Sequence, residues 1–225
     1  MYQAKQLRQG ALLLIFMLFL STHLTAQSIS PDDKTAIRKL SDKYKKAIAS
    51  SDGKNLYPLA SKSSIEFYNK IRSLTLFTKK EELLKEDLHV ILLTMMTKKL
   101  YDFVSLRAMN AKEFFIDSFT GQSSTFNQEE DITIDEFIPN GEIRIIVKYN
   151  RKSDDIPFLL PYIKENNEWK VDIADFWRIY LGTMYMRAYE KAKNEGYKKE
   201  QFILFITRKQ FGITEENPFK RLTFW

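Results

Sequence analysis

The sequence predicts an α+β fold in residues 27–225, preceded by a removable export signal. Apolar residues recur at three- and four-residue spacing over 31–119, which indicates helices. Alternation of apolar and polar residues over 131–173 indicates antiparallel strands. Helical spacing returns from Trp177 onward. Helices on both sides of one run of strands are typical of α+β proteins. Since there is no linker, repeat or low-complexity segment, the prediction is a single domain.

Residues 1–26 have the layout of a secretory signal peptide. The basic residues Lys5 and Arg8 precede an apolar run over 11–20, and small and polar residues follow it. The run is about half the length that a membrane-crossing helix requires, roughly 20 residues. We place the cleavage after Ala26, and an uncleaved membrane anchor is the alternative. The prediction is an exported protein, periplasmic or secreted, with no stable membrane anchor after cleavage.

Composition narrows the classes of function. The chain has 35 Lys and Arg against 29 Asp and Glu, a net charge of +6, but acidic residues follow several of its Lys-Lys pairs. This pattern favours solvated helix faces over a nucleic-acid partner. No cysteine is present, so disulfides, cysteine-based metal sites and thiolate nucleophiles are excluded. We predict no metal and no cofactor.

The predicted helices begin at Ser30-Pro31, where Ser30 suits the capping position and Pro31 the first helical position. A second helix is predicted over 63–74. Capping-box patterns at 78–81 and 110–113 predict further helix starts. The first helix has an apolar stripe of Ile37, Leu40, Tyr44, Ala47 and Ile48. The stretch over 88–96 is apolar nearly all round, which predicts a buried helix.

Two hairpins are predicted in the strand region. The first turns at Asn140-Gly141, where positive φ is expected at both residues, and has a bulge near Asp135-Glu136. The second turns at 165–167. Pro157 and Pro161 lack the N–H that a central strand would donate, so the arm that contains them is predicted to be an edge or broken strand.

The C-terminal part is predicted to be helical again. Trp177, Tyr180, Tyr185 and Tyr189 recur close to helix spacing. They indicate either a binding platform for a sugar or a lipid, or core packing, and core packing is favoured. Gly196 interrupts the pattern, and a further helix is predicted over 201–211. Three aromatic residues near the end of the chain are predicted to pack against the rest of the fold: Phe219, Phe224 and Trp225.

Three segments resemble the NTF2-like (SnoaL-like) superfamily of bacterial proteins. They are KYKKAIASSDGKNLYPLAS at 43–61, IEFYNKI at 65–71 and NEWKVDI at 167–173. The resemblance implies a curved antiparallel sheet wrapped around the first helix, forming a cone whose mouth holds a small molecule. Two helical additions depart from the family core, at about 78–120 and about 176–225. Both can cover the mouth, and the resemblance does not transfer a function.

Few residues suggest catalysis. His89 is the only histidine after residue 26. One interpretation is a general base paired with Asp87 or a more distant carboxylate. The other is a histidine buried in the core, and this interpretation is favoured. The carboxylates near the strands are Asp131, Asp135, Glu136, Asp172 and Asp175. A catalytic pair among them is less favoured than solvent-facing positions. Ser63, Ser64, Ser123 and Ser124 are interpreted as caps or turn residues.

The sequence therefore predicts an exported, non-catalytic module that binds a small apolar or amphipathic ligand or interacts with the cell envelope. The ligand would lie between the first helix and the concave face of the sheet. Its predicted lining is aromatic: Tyr44, Phe67, Tyr68, Tyr149 and Trp169. Two alternatives stay open. One is a small hydrolase or isomerase that uses His89 with a carboxylate, and the other is a structural partner protein that forms a homodimer.

Overall fold

Helix α1 spans Pro31–Ala49 in the computed structural model, which describes residues 29–120, 132–151, 154–213 and 219. The predicted signal segment lies outside the described residues, as do Asp131, Ser123, Ser124, Phe224 and Trp225. Helix α1 begins as predicted. The Ser30 side chain accepts a hydrogen bond from the Asp33 backbone N–H at 3.0 Å, and Pro31 is the first helical residue. The whole predicted apolar stripe is buried.

Further helices lead from α1 to the first strand. They are α2 (Gly53–Leu56), a 3₁₀ turn (Tyr57–Leu59), α3 (Lys62–Phe77), α4 (Lys80–Leu83), α5 (Leu88–Leu100), α6 (Phe103–Ala108) and α7 (Ala111–Ser118). The capping box of Asn110 and Glu113 is confirmed at the start of α7. The predicted box at 78–81 is wrong, because α4 begins one residue later than that box requires and Lys79 provides no side-chain cap. Helix α5 is buried over most of its length, as predicted.

Four antiparallel strands form a sheet in the order β1-β2-β3-β4. They are β1 (Ile132–Pro139), β2 (Arg144–Arg151), β3 (Asp154–Glu165) and β4 (Glu168–Val171). The predicted bulge is confirmed, since the β1–β2 register shifts between Ile134 and Glu136. On β2, Ile145, Val147 and Tyr149 are buried on one face. This face contacts α1, so the first helix packs against the sheet as expected.

The two turns differ from each other. Asn166 and Asn167 both have positive φ, 49° and 65°, so they join β3 to β4 as a tight two-residue turn. Between β1 and β2, only Gly141 has positive φ, 84°. The expectation of positive φ at Asn140 is therefore wrong. A longer connection runs over 140–143, and the Asn140 N–H donates to the Arg144 carbonyl at 3.0 Å.

Strand β3 is unbroken, so the prediction of a broken strand is wrong, and it lies between β2 and β4 in the sheet. The pairs with β4 cover only 162–165, so the part that contains Pro157 and Pro161 is paired with β2 alone, as the edge prediction requires. Its prolines are tolerated because β4 is short. Pairing between β3 and β4 stops at Tyr162 and Val171. The carbonyl of Pro161 points beyond that end and accepts a hydrogen bond from the Asp172 N–H at 2.9 Å. The missing N–H of Pro161 faces the same side, away from β2, so no bond to β2 is lost.

The C-terminal part is helical, as predicted. Helix α8 (Ile173–Trp177) leads through a π-helical segment (Arg178–Gly182) into α9 (Thr183–Asn194), and α10 (Lys199–Phe211) follows. Gly196, at a φ of 91°, lies in the turn between α9 and α10. A single π turn inside helical structure is uncommon and frequently marks a functional region.

Two hydrophobic cores are present among the described residues. We call the first the sheet core: it joins α1, the sheet, α3 and α7, and contains Tyr149, Tyr162 and Phe115. We call the second the helical core: it joins α5, the π segment, α9 and α10, and contains Met95, Tyr185 and Ile203. Phe219 is buried in the helical core, which confirms that this residue packs down. Trp177 packs against both cores. The mixed α+β class is confirmed.

Candidate functional site

The predicted ligand lining is distributed over three places in the structure. Tyr44 and Tyr149 are buried in the sheet core between α1 and the sheet. Three hydroxyl oxygens meet there: Ser41 Oγ lies 2.7 Å from both Tyr149 Oη and Tyr162 Oη, which are 2.6 Å apart. Burial raises the pKa of Tyr162 well above its ordinary value. The hydroxyls satisfy one another, and they lie between α1 and the sheet.

Tyr68 and Phe67 lie at a second place, on α3. The Trp177 Nε1–H donates to Tyr68 Oη at 3.0 Å, and burial raises the pKa of the Tyr68 phenol. The Tyr68 ring contacts Phe67, Phe115 and Phe119 at centroid distances of 6.0, 5.2 and 5.4 Å. This aromatic cluster ties α3 to α7 and α8.

Trp169 marks the third place, at the start of α1. Its Nε1–H donates to Asp33 Oδ1 at 2.7 Å, and Lys164 Nζ donates to the same oxygen at 2.8 Å. The Lys164, Trp169 and Ser30 hydrogen bonds together lower the pKa of Asp33 to about 2. This network anchors α1 to the β3–β4 hairpin, and the sequence analysis did not predict it.

His89 is 7% exposed and lies on α5. Its ring stacks on Phe67 at a centroid distance of 5.9 Å and an interplanar angle of 17°. Burial lowers the His89 pKa, and the charges of Arg178 and Lys70 add to this effect, while Asp87 and Glu86 oppose it. Among the described residues, no hydrogen bond reaches the imidazole. The ring is therefore neutral near pH 7 and enclosed by protein.

The carboxylates at the end of β4 are buried, so their predicted solvent-facing position is wrong. Asp172 is 2% exposed and Asp175 is 7% exposed. Asp172 caps α8 by accepting from the Asp175 N–H at 3.2 Å, and Ser63 Oγ donates to it at 3.3 Å. Arg178 Nε donates to Asp175 Oδ1 at 2.6 Å. The Arg144 guanidinium lies 3.8 and 3.9 Å from the two carboxylates. Two arginines thus compensate two buried charges.

Ser63 and Ser64 lie inside α3, so the interpretation of these two residues as turn residues or as caps of their own helix is wrong. Ser61 caps α3, since its Oγ accepts from the Ser64 N–H at 3.1 Å. Ser64 Oγ accepts from the Ile173 N–H at 2.8 Å. On the sheet, Asp135 pairs with Lys148 at 2.6 Å. Within the described residues, no group of three His, Asp or Glu side chains could hold a metal ion.

A different surface stands out on the C-terminal helices. We call it the C-terminal face: the exposed side chains of residues 178–209. Large apolar side chains are exposed on it: Tyr180, Met184, Met186, Tyr197 and Phe205. Eight Lys or Arg and three Glu lie in this range, a net charge of +5. All other residues from 27 onward have a net charge of −1. This asymmetry is readable from the sequence, but sequence reasoning did not identify it.

One concavity of the C-terminal face lies on α10. A shallow groove of about 520 Å³ is lined by Gln201, Leu204, Phe205, Arg208 and Lys209. Phe205 is 55% exposed, and Lys209 Nζ lies 5.4 Å from its ring centroid. On the predicted aromatic stripe, Tyr185 is buried, as expected for core packing, whereas Tyr180 is 48% exposed. The Tyr180 ring also stacks on the buried Phe176 at a centroid distance of 5.6 Å, so Tyr180 packs against the sheet core on one side only.

Comparison of the chain with protein-family models, with curated proteins and with solved structures gave no match. Among the helices that the structure describes, none is long and apolar enough to cross a bilayer.

Proposed function

We propose that this chain is an exported, non-catalytic interaction module of the cell envelope, built on an NTF2-like α+β body. The signal layout of residues 1–26 supports export. The packing of α1 across the inner face of a four-stranded antiparallel sheet supports the NTF2-like body. The helices beyond the sheet, α9 and α10, then carry the surface that meets a partner.

The observation that carries this proposal is the contrast between the interior and the C-terminal face. Inside, the hydroxyls of Ser41, Tyr149 and Tyr162 are bonded to one another at 2.6–2.7 Å. Outside, apolar and cationic side chains are exposed together on α9 and α10, as at Met184 and Phe205. Apolar side chains that stay exposed along two connected helices are candidates for an interaction site. A partner that binds from outside fits this arrangement better than a ligand held inside.

Site-specific photo-crosslinking in the exporting host tests the proposal. A photoreactive amino acid replaces Met184 or Phe205 in separate variants, and the matched control replaces Lys43, which is exposed on α1. We expect discrete adducts from positions 184 and 205 and none from position 43. An adduct with a second copy of the chain would support the homodimer instead. Native mass spectrometry that detects a retained small molecule would contradict the proposal and favour the internal ligand.

The hydrolase or isomerase alternative has one supporting observation. Burial lowers the pKa of His89, which keeps the imidazole in the neutral form that a general base needs. The alternative requires His89 for turnover of an identified substrate. Unchanged turnover in His89→Gln would eliminate it.

A further inference from the structure

We propose that the C-terminal face binds the surface of an anionic phospholipid bilayer, lying in the headgroup region without crossing the membrane. The inference rests on the proposed function and specifies its partner. Two properties of residues 178–209 carry it: a net charge of +5, and a group of large exposed apolar side chains. An anionic bilayer complements both, because its headgroups attract cations and its acyl boundary accepts apolar side chains.

The charge distribution sets the orientation of the protein on the membrane. Since all residues from 27 onward outside 178–209 have a net charge of −1, the rest of the exported chain is not drawn to an anionic surface. Most cations of the face form no ion pair with the described residues, although Arg178 pairs with the buried Asp175 at 2.5 Å. Glu190 pairs with Lys193 at 3.8 Å, and Glu200 pairs with Lys80 of α4 at 2.6 Å. Each Lys or Arg near such a surface adds to the affinity.

The apolar side chains are of the kinds that suit an interface between water and lipid. Met184, Met186 and Phe205 can enter the acyl boundary, whereas Tyr180 and Tyr197 offer rings with a hydroxyl that suits the headgroup level. Lys209 Nζ lies over the Phe205 ring, 5.4 Å from its centroid, so a cation and an exposed apolar side chain adjoin on α10. Lys side chains at membrane interfaces can place an apolar stem along lipid and a charged head in water.

The attachment of α9 leaves most of its surface available. Of its twelve residues, only Tyr185 is buried, and Tyr189 and Ala192 are partly buried against the helical core. The remaining residues are exposed, among them Met184, Arg187 and Lys191. A soluble acidic protein would also complement the charge, but it does not require Met and Phe on a largely open helix. The bilayer is therefore the occupant that uses both properties.

Vesicle flotation with the chain from Gln27, which contains every residue of the described fold, tests the inference. Vesicles of phosphatidylcholine alone are compared with vesicles that contain about one third phosphatidylglycerol. We expect flotation with the anionic vesicles only, and release at high salt. The double substitution Arg208→Glu with Lys209→Glu should weaken binding at least about tenfold, because two attractive charges become repulsive. Phe205→Ser should weaken it at unchanged net charge.

The matched control is Lys39→Glu with Lys43→Glu on α1. Both side chains are exposed, and the substitution changes net charge by the same amount as the variant on α10. We expect binding within about twofold of the unmodified chain, since only the C-terminal face meets the headgroups. Equal weakening by both double variants would show a non-specific charge effect and overturn the inference. So would equal flotation with neutral and anionic vesicles.

Failure of this inference is distinguishable from failure of the proposed function. Absent flotation together with protein adducts at positions 184 and 205 overturns the lipid surface and leaves an interaction module with a protein partner. Absent flotation together with no adducts overturns both.

Discussion

At the scale of single residues, the protonation of His89 is the property that experiment can test most directly. It is the only histidine after residue 26, and it lies where α5 meets Phe67 of the sheet-core side. Burial lowers its pKa, so the folded protein resists protonation of the ring, whereas the unfolded chain takes up a proton near pH 6.5. The folding equilibrium must therefore respond to pH through this residue.

We predict that acidification destabilises the protein partly through His89. Because the folded pKa is lower than the unfolded one, the contribution of this residue is fully present above about pH 6.5 and is lost as pH falls below it. Between about pH 7.5 and pH 5.5, the loss is at most about 1.4 kcal/mol. His89→Phe keeps a ring against Phe67 and removes the titration. Urea unfolding of both proteins at the two pH values measures the difference.

The histidine pKa itself provides the control. Since His89 is the only histidine of the chain from Gln27, its NMR titration has a single imidazole resonance set. A pKa at or above 6.5, or the same pH dependence of unfolding in His89→Phe, would contradict the prediction.

Local residue chemistry was predictable, and long-range residue chemistry was not. Ser30 and Pro31 define the start of α1 through contacts within one helical turn, and both roles are confirmed. Asp33 lies in the same turn, but its partners Lys164 and Trp169 are 131 and 136 positions away. Periodicity and capping patterns contain no information on such pairs. For the same reason, the burial of Asp172 and Asp175 and their ion pairs with Arg144 were not predicted.

At the scale of elements, a turn with positive φ at two adjacent residues was predicted, but for the wrong hairpin. Both Asn166 and Asn167 adopt positive φ, which Asn tolerates better than most residues. The Asn140-Gly141 pair was the stronger sequence signal, yet its connection contains two further residues, 142 and 143. The length of a connection depends on where the strands stop pairing. That end is fixed by tertiary contacts such as the Lys164 N–H donating to the Ile143 carbonyl at 2.8 Å.

The approach of α2 to α7 gives an element-scale prediction. A Cβ on Gly53 would lie 2.0 Å from the backbone oxygen of Ile116, so these two helices can pack at this distance only because Gly53 has no side chain. We predict that Gly53→Ala lowers the free energy of unfolding by about 1–3 kcal/mol, as overpacking of a core does. The helices must separate to admit the methyl group. Chemical denaturation measures the loss.

Gly182→Ala is the matched control for this substitution. Gly182 has helical dihedral angles, and a Cβ there has open space around it. We expect Gly182→Ala to keep or slightly raise stability, by up to about 1 kcal/mol, because alanine restricts the unfolded chain. A similar loss in both variants would show that the close contact with Ile116 does not control the effect, because Gly182 has no such contact.

At the scale of the whole molecule, the division into two cores was only partly foreseeable. The apolar run over 88–96 correctly predicted burial of α5. Its partners, including Tyr185 on α9 and Ile203 on α10, follow about one hundred residues later in the sequence and could not be paired with it from periodicity alone. The sheet core was easier to predict, because the family resemblance implies that the first helix packs against the strands.

Trp177 packs against both cores, and its replacement should destabilise the two cores to different extents. The indole packs against both cores, and its N–H donates to Tyr68 Oη at 3.0 Å. We predict that Trp177→Phe lowers the opening free energy of amides in the helical core by about 1–2 kcal/mol, through the lost hydrogen bond and contact area. Amides of α1 should change less, since local units open separately. Native-state hydrogen exchange read by mass spectrometry resolves the two groups of amides.

Trp169→Phe is the control, because Trp169 belongs to the sheet core and donates to Asp33. We expect Trp169→Phe to lower the protection of the α1 amides against exchange before that of other amides. Equal losses at all amides in both variants would show instead that the two cores unfold as one unit.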